Sequence, residues 1–110
     1  MAQEKLDTDL LASIAQQMMT SAKVQVRGKL IPVRRTSAQR LRRVTFAMNG
    51  REYDAIEQNP EKPSRWGQLA REGHQVVQFK DNDNNRFVAV AVDGEVKVYS
   101  SLHRDNPSAD

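Results

Sequence analysis

Leu6, Leu10, Leu11, Ile14, Ala15, Met18, Met19 and Ala22 recur so that a 3.6-residue period gathers them on one side. This pattern predicts an amphipathic helix over about residues 8–22. Asp7 stands where its carboxylate can cap the free amides of the first turn, and Leu6 where it can staple onto Leu11. The period then shortens. Val24 and Val26 alternate with Gln25 and Arg27 until Gly28 interrupts, and Leu30 to Val33 resumes an apolar run that contains Pro32. Proline cannot donate to a ladder, so these segments read as edge strands. Between Arg43 and Met48, Val44, Phe46 and Met48 share one face, and Asn49-Gly50 supplies the two positive-φ residues of a type I′ turn. A two-residue turn sets Phe46 opposite Tyr53 and Val44 opposite Ala55, which makes one apolar face across both strands.

Gln58-Asn59-Pro60-Glu61-Lys62-Pro63 breaks the alternation and reads as a loop. A short helix follows it. Ser64 is its N-cap, Trp66, Leu69 and Ala70 form its apolar stripe, and Gly73 suits the left-handed residue that ends helices. Gly67 costs such a helix up to about 1 kcal/mol relative to Ala, so the helix relies on tertiary packing or uses the glycine for close approach. Together with Gln75 to Phe79 it looks like a compact helix-to-strand unit. The last third reads as a meander of Gln75 to Lys80, Arg86 to Val92 and Glu95 to Tyr99, joined by the loop Asp81 to Asn85 and the turn Asp93-Gly94. Its middle strand is apolar on both faces, which calls for a place between two layers or a strongly curled sheet.

The expected fold class is therefore α+β in the order α-β-β-β-α-β-β-β, with a bent, mainly antiparallel sheet or small open barrel and two packed helices. A chain of 110 residues buries roughly 60 to 70% of its unfolded surface, enough for one core. We accordingly expect one domain overall, with residues 1–22 as an N-terminal amphipathic helix, 23–101 as the α+β body and 102–110 as a flexible tail.

Composition narrows the chemistry. Without cysteine there is no disulfide framework, thiolate metal site or cysteine nucleophile. Glu4, Asp7 and Asp9 stand where a signal peptide carries positive charge, and no apolar run approaches the ~20 residues that span a bilayer, so a cytoplasmic protein is expected. His74 and His103 are the only histidines and have no partner at metal-ligand spacing. Asp81, Asp83 and Asn85 repeat the first oxygen positions of a calcium loop, but Arg86 replaces the turn glycine and Val92 the bidentate Glu. No phosphate-cradling glycine motif occurs. The expectation is a non-enzymatic protein with no metal and no cofactor.

Charge supplies the positive signal. Residues 23–43 hold Lys23, Arg27, Lys29, Arg34, Arg35, Arg40, Arg42 and Arg43 with no acidic residue, a local charge of +8 in a chain of net +3. Such asymmetry directs a field even when net charge is small. The first functional reading is a polyanion partner, nucleic acid, bound through Arg27, Lys29, Arg34, Arg35, Arg40, Arg42 and Arg43. No aromatic residue interleaves with these cations, so a base-stacking platform within the stretch is missing. The alternative is a protein-interaction or oligomerisation module, with Leu10, Ile14 and Met18 of the first helix as the partner interface.

Overall fold

A computed structural model describes residues 8–36, 40–48 and 50–100. Its elements run α1 (Thr8–Thr20), β1 (Lys23–Val26), β2 (Lys29–Pro32), β3 (Arg34–Arg35), β4 (Arg42–Met48), β5 (Arg51–Glu57), α2 (Arg65–Arg71), β6 (Val76–Asp81), β7 (Arg86–Val92) and β8 (Glu95–Ser100). The α+β architecture with two helices is the expected one, and five strands rather than three stand between the helices. Arg27 (φ 49°) and Gly28 (φ 85°) make a two-residue turn that folds β1 back on β2; Val33 N donates to Ala22 O at 3.0 Å, and Arg34 and Arg35 then pair with β4.

β3 to β8 form a six-stranded antiparallel sheet in sequence order, and β1 and β2 a separate hairpin. The sheet is not closed: β3 and β8 stand at its two edges. The β4–β5 register sets Phe46 against Tyr53 and Val44 against Ala55, as strand alternation and a two-residue turn require. Asn49 lies outside the described residues, while Gly50 has φ 76°. At the β7–β8 turn, Asp93 (φ 53°) and Gly94 (φ 82°) supply the same conformation.

One sheet face carries the larger core. Val44, Phe46 and Met48 of β4, Tyr53 and Ala55 of β5, Val77 and Phe79 of β6 and Ala89 of β7 meet Leu11, Ile14, Ala15 and Met18 of α1 with Val24 and Val26 of β1. Phe46 stacks on Tyr53 and meets Phe79 edge-on, so three strands are joined by ring contacts. α1 ends two residues earlier than expected. Its proposed cap Asp7 and staple Leu6, and the tail 102–110, lie outside the described residues. Gln17 on α1 completes the contact with β1: its Oε1 accepts from Gln25 N at 2.7 Å and its Nε2 donates to Gln25 O at 3.3 Å. A side-chain amide thus occupies the outer edge of β1.

The opposite face is covered over only part of its width. Trp66, 6% exposed, packs with Val76, Val88 and Val90, while Leu69, Ala70 and Tyr99 join the same cluster. β7 is apolar on both faces because it lies between α1 and α2, each of which buries one side of it. Ser64 Oγ accepts from Gly67 N at 3.1 Å, the expected N-cap. Gly67 also serves close approach, since a Cβ there would stand 2.1 Å from Lys62 O. Among the described residues no helix is long and apolar enough to cross a membrane.

Candidate polyanion-binding face

Pairing between β3 and β4 decides where the arginines go. Arg34 lies opposite Arg43 and Arg35 opposite Arg42, so successive residues leave on opposite faces of the sheet. The sequence-predicted cations are therefore divided. Arg34 and Arg43 join the face that α2 leaves open. Arg35 and Arg42 point the other way, where Arg35 Nη1 donates to Arg40 O at 2.8 Å and Arg42 Nη2 donates to Ser21 O at 3.2 Å. Arg42 also donates its backbone N–H to Glu57 Oε1 at 3.0 Å, which ties the start of β4 to the end of β5. Arg40 adopts φ 56°, in the loop whose residues 37–39 lie outside the described set. Arg27 and Lys29 are exposed at the tip of the β1–β2 hairpin, a different element from the sheet.

Arg43 is the one arginine of this group whose guanidinium is held by a carboxylate among the described residues. Its Nε and Nη2 meet Asp54 Oδ1 and Oδ2 at 2.8 and 2.7 Å, a two-pronged contact. The hydrogen bond, and then the charge of Asp54, hold the guanidinium further toward its protonated form. Both side chains are over a third exposed, so the pair contributes only about 0.2 to 1 kcal/mol to stability. Its main effect is to fix the direction of Arg43 and to cancel one of the eight local charges.

The open face gathers cations that are far apart in sequence. Arg43 is opposite Ile56, Ile56 opposite Gln78, and Gln78 opposite Val88, which forms one row across four strands. The adjacent row on the same face runs Thr45, Asp54, Lys80, Arg86. Lys80 and Arg86 are thus direct neighbours, on the face that also presents Arg34 and Arg43. Asp54 and Glu52 are the carboxylates among them. Three depressions overlap along this face. The first, about 510 Å³, lies at Arg34, Thr36 and Arg43; the second, about 600 Å³, at Thr45, Ala47, Asp54 and Lys80; the third, about 660 Å³, at Lys80, Arg86, Gln78, Ile56 and Trp66. Shared residues join each to the next. Sequence reading missed Lys80 and Arg86 because only the β4–β5–β6–β7 register brings them to this face.

The remaining candidate chemistry resolves into structure. Asp81 is buried, its Oδ1 accepting from Asp83 N at 2.9 Å and Asn85 N at 2.8 Å, and its Oδ2 from Asn85 Nδ2 at 2.9 Å. Arg51 Nη1 reaches Asp81 Oδ2 at 3.3 Å and Asp83 Oδ2 at 3.2 Å. Burial alone would raise the Asp81 carboxyl, but the hydrogen bonds from Asn85, Asp83 and Arg51 outweigh it and hold the group below its ordinary range. The calcium-like spacing is thus an Asx-type turn, in which N–H groups occupy the carboxylate oxygens. Among the described residues no three histidines or carboxylates are placed to hold a metal ion. His74 is half-buried, and His103 lies outside the described residues.

Ile14 and Met18, the centre of the alternative partner interface, are fully buried against this chain's own sheet, and Leu10 is half-buried beside them. A partner could reach this stripe only if α1 left the sheet. No protein-family model, curated protein or solved structure matches the chain.

Proposed function

We propose that this protein is a non-enzymatic module that binds a polyanion, nucleic acid with little sequence preference, through the β3–β4 hairpin and the open sheet face beside it. The observation that carries this reading is the ratio of charge on that hairpin. Arg34, Arg35, Arg40, Arg42 and Arg43 belong to it, and among the described residues only the Arg43 guanidinium is engaged by a carboxylate. Guanidinium groups without carboxylate partners keep donors available for phosphate oxygens. Arg35 and Arg42 spend some of theirs on backbone carbonyls, which leaves Arg34 and Arg40 as the freest contributors.

Binding to labelled DNA or RNA, followed by anisotropy as salt is raised from ~50 mM, tests the proposal. Each phosphate contact contributes about −0.7 to −0.9 to the slope of log affinity against log salt. The combined variant Arg34→Gln, Arg40→Gln should keep its fold, flatten the slope by about 1.4 to 1.8 and weaken binding alike for different sequences. No binding by the parent protein at ~50 mM salt, or an unchanged slope in the variant, overturns the reading.

A further inference from the structure

Building on that polyanion reading, we infer that the nucleic acid is single-stranded and crosses the open face from β3 to β7, turning bases into the groove beside α2. The cations are set out as a track. From Arg34 on β3 to Arg86 on β7 the face is four strand spacings wide, about 19 Å, and Arg43 and Lys80 lie between them about 12 Å apart. Asp54 cancels the charge of Arg43 through its two-pronged contact and stands directly opposite Lys80, so Arg34, Lys80 and Arg86 are the cations that this track leaves for phosphate.

The groove at the far end is built for something other than phosphate. Ile56, Val88 and the Trp66 ring give it apolar lining, and Lys80 and Arg86 stand on its rim. Gln78 Nε2 donates to Gln58 Oε1, and Gln58 Nε2 donates to Asn59 O, so a chain of amides runs along the same groove. An unpaired base has an apolar face and a polar edge, which match this combination of lining. A duplex hides those groups: its base edges are reached by a helix or ribbon that protrudes into a groove, whereas this surface is recessed. Stacking on exposed aromatics is the usual platform for unpaired bases, and here Trp66 lines the groove while only 6% exposed. The cations therefore carry most of the affinity, and sequence preference is weak.

An oligothymidylate of about 12 nucleotides and a duplex of equal length are the probes, a size within the ~4 to 16 nucleotides that small single-strand-binding domains cover. The single strand should bind at least tenfold more tightly and should shift the emission of Trp66, the only tryptophan in the chain. The variant Lys80→Gln, Arg86→Gln removes two contacts of about 0.7 each, so its salt slope should flatten by about 1.4 and its affinity fall on the order of 25-fold at ~0.1 M salt. Both side chains belong to exposed residues, and an unchanged urea midpoint verifies the fold; the single variant Arg86→Gln repeats the test with about half the change in slope. Equal or tighter duplex binding, or parental affinity in the variants, overturns the single-strand path. In that case the polyanion reading survives if Arg34→Gln, Arg40→Gln still weakens binding. Failure of both probes to bind removes both readings.

Discussion

Gly67→Ala sets two local effects against each other, and the structure says which is larger. Alanine in a helix interior gains up to about 1 kcal/mol over glycine. At this position, however, the new Cβ would stand 2.1 Å from Lys62 O and 2.9 Å from its carbonyl carbon. Ordinary contact between heavy atoms begins near ~3.5 Å, so the 58–63 loop must retreat by more than about 1 Å. That carbonyl is also tethered: Arg71 Nη1 donates to Lys62 O at 2.9 Å and to Pro60 O at 2.6 Å, which staples the loop to α2. Overpacking of this kind costs about 1 to 3 kcal/mol, and a strained or broken charge-assisted bond adds up to about 1.5 more after allowance for its exposure. Set against the full propensity gain, the net expectation is a loss of about 0 to 3.5 kcal/mol, read in urea at constant m-value. In an Arg71→Ala background the penalty should shrink, because the loop is already released. A Gly67→Ala protein with a higher urea midpoint than the parent would show that propensity dominates and that the loop is not held against the helix.

Three further outcomes follow from the packing. Trp66→Ala should cost about 3 to 5 kcal/mol, since the ring fills the cluster with Val76, Val88 and Val90; a loss under ~1 kcal/mol in thermal unfolding would contradict that burial. Asp81 is held below its unfolded-state value of about 3.9, so its contribution is full above pH ~4 and is lost as pH falls through the lower native value. Urea titrations at successive pH should show a weaker acid dependence below pH ~4 for Asp81→Asn than for the parent, and equal dependence would refute the assignment. Gln17→Ala removes both bonds to the outer edge of β1 and should cost about 1 to 2 kcal/mol, with faster amide exchange at Gln25; unchanged exchange would show that water replaces the side chain at no cost.

Most of the fold was legible where a strict period met a recognisable turn. The period of two through Val44, Phe46 and Met48, with Gly50 beside it, fixes the β4–β5 register, and Asp93-Gly94 does the same for β7–β8. Arg27-Gly28 makes an equivalent turn but hides it, because an arginine at φ 49° is not a turn signal in a sequence. β3 is two residues long and carries no period at all. The basic stretch was visible as linear density, and the β3–β4 pairing sends neighbours such as Arg42 and Arg43 to opposite faces. Which carboxylate would meet Arg43 was not visible, since Asp54 arrives beside it only through the hairpin. Lys80 and Arg86 are ordinary surface cations in the sequence. Two further strand pairings carry them onto the face of Arg34 and Arg43, and pairings between distant strands leave no local signature.

Amide-resolved NMR during titration with oligothymidylate tests the central claim most directly, because it reports which face meets the ligand. The account predicts that shifts concentrate on Arg34, Arg43, Thr45, Lys80 and Arg86 and extend to the Trp66 indole, while α1 and β1 stay still. Shifts centred on α1, or spread evenly with no change at Lys80 and Arg86, would contradict it.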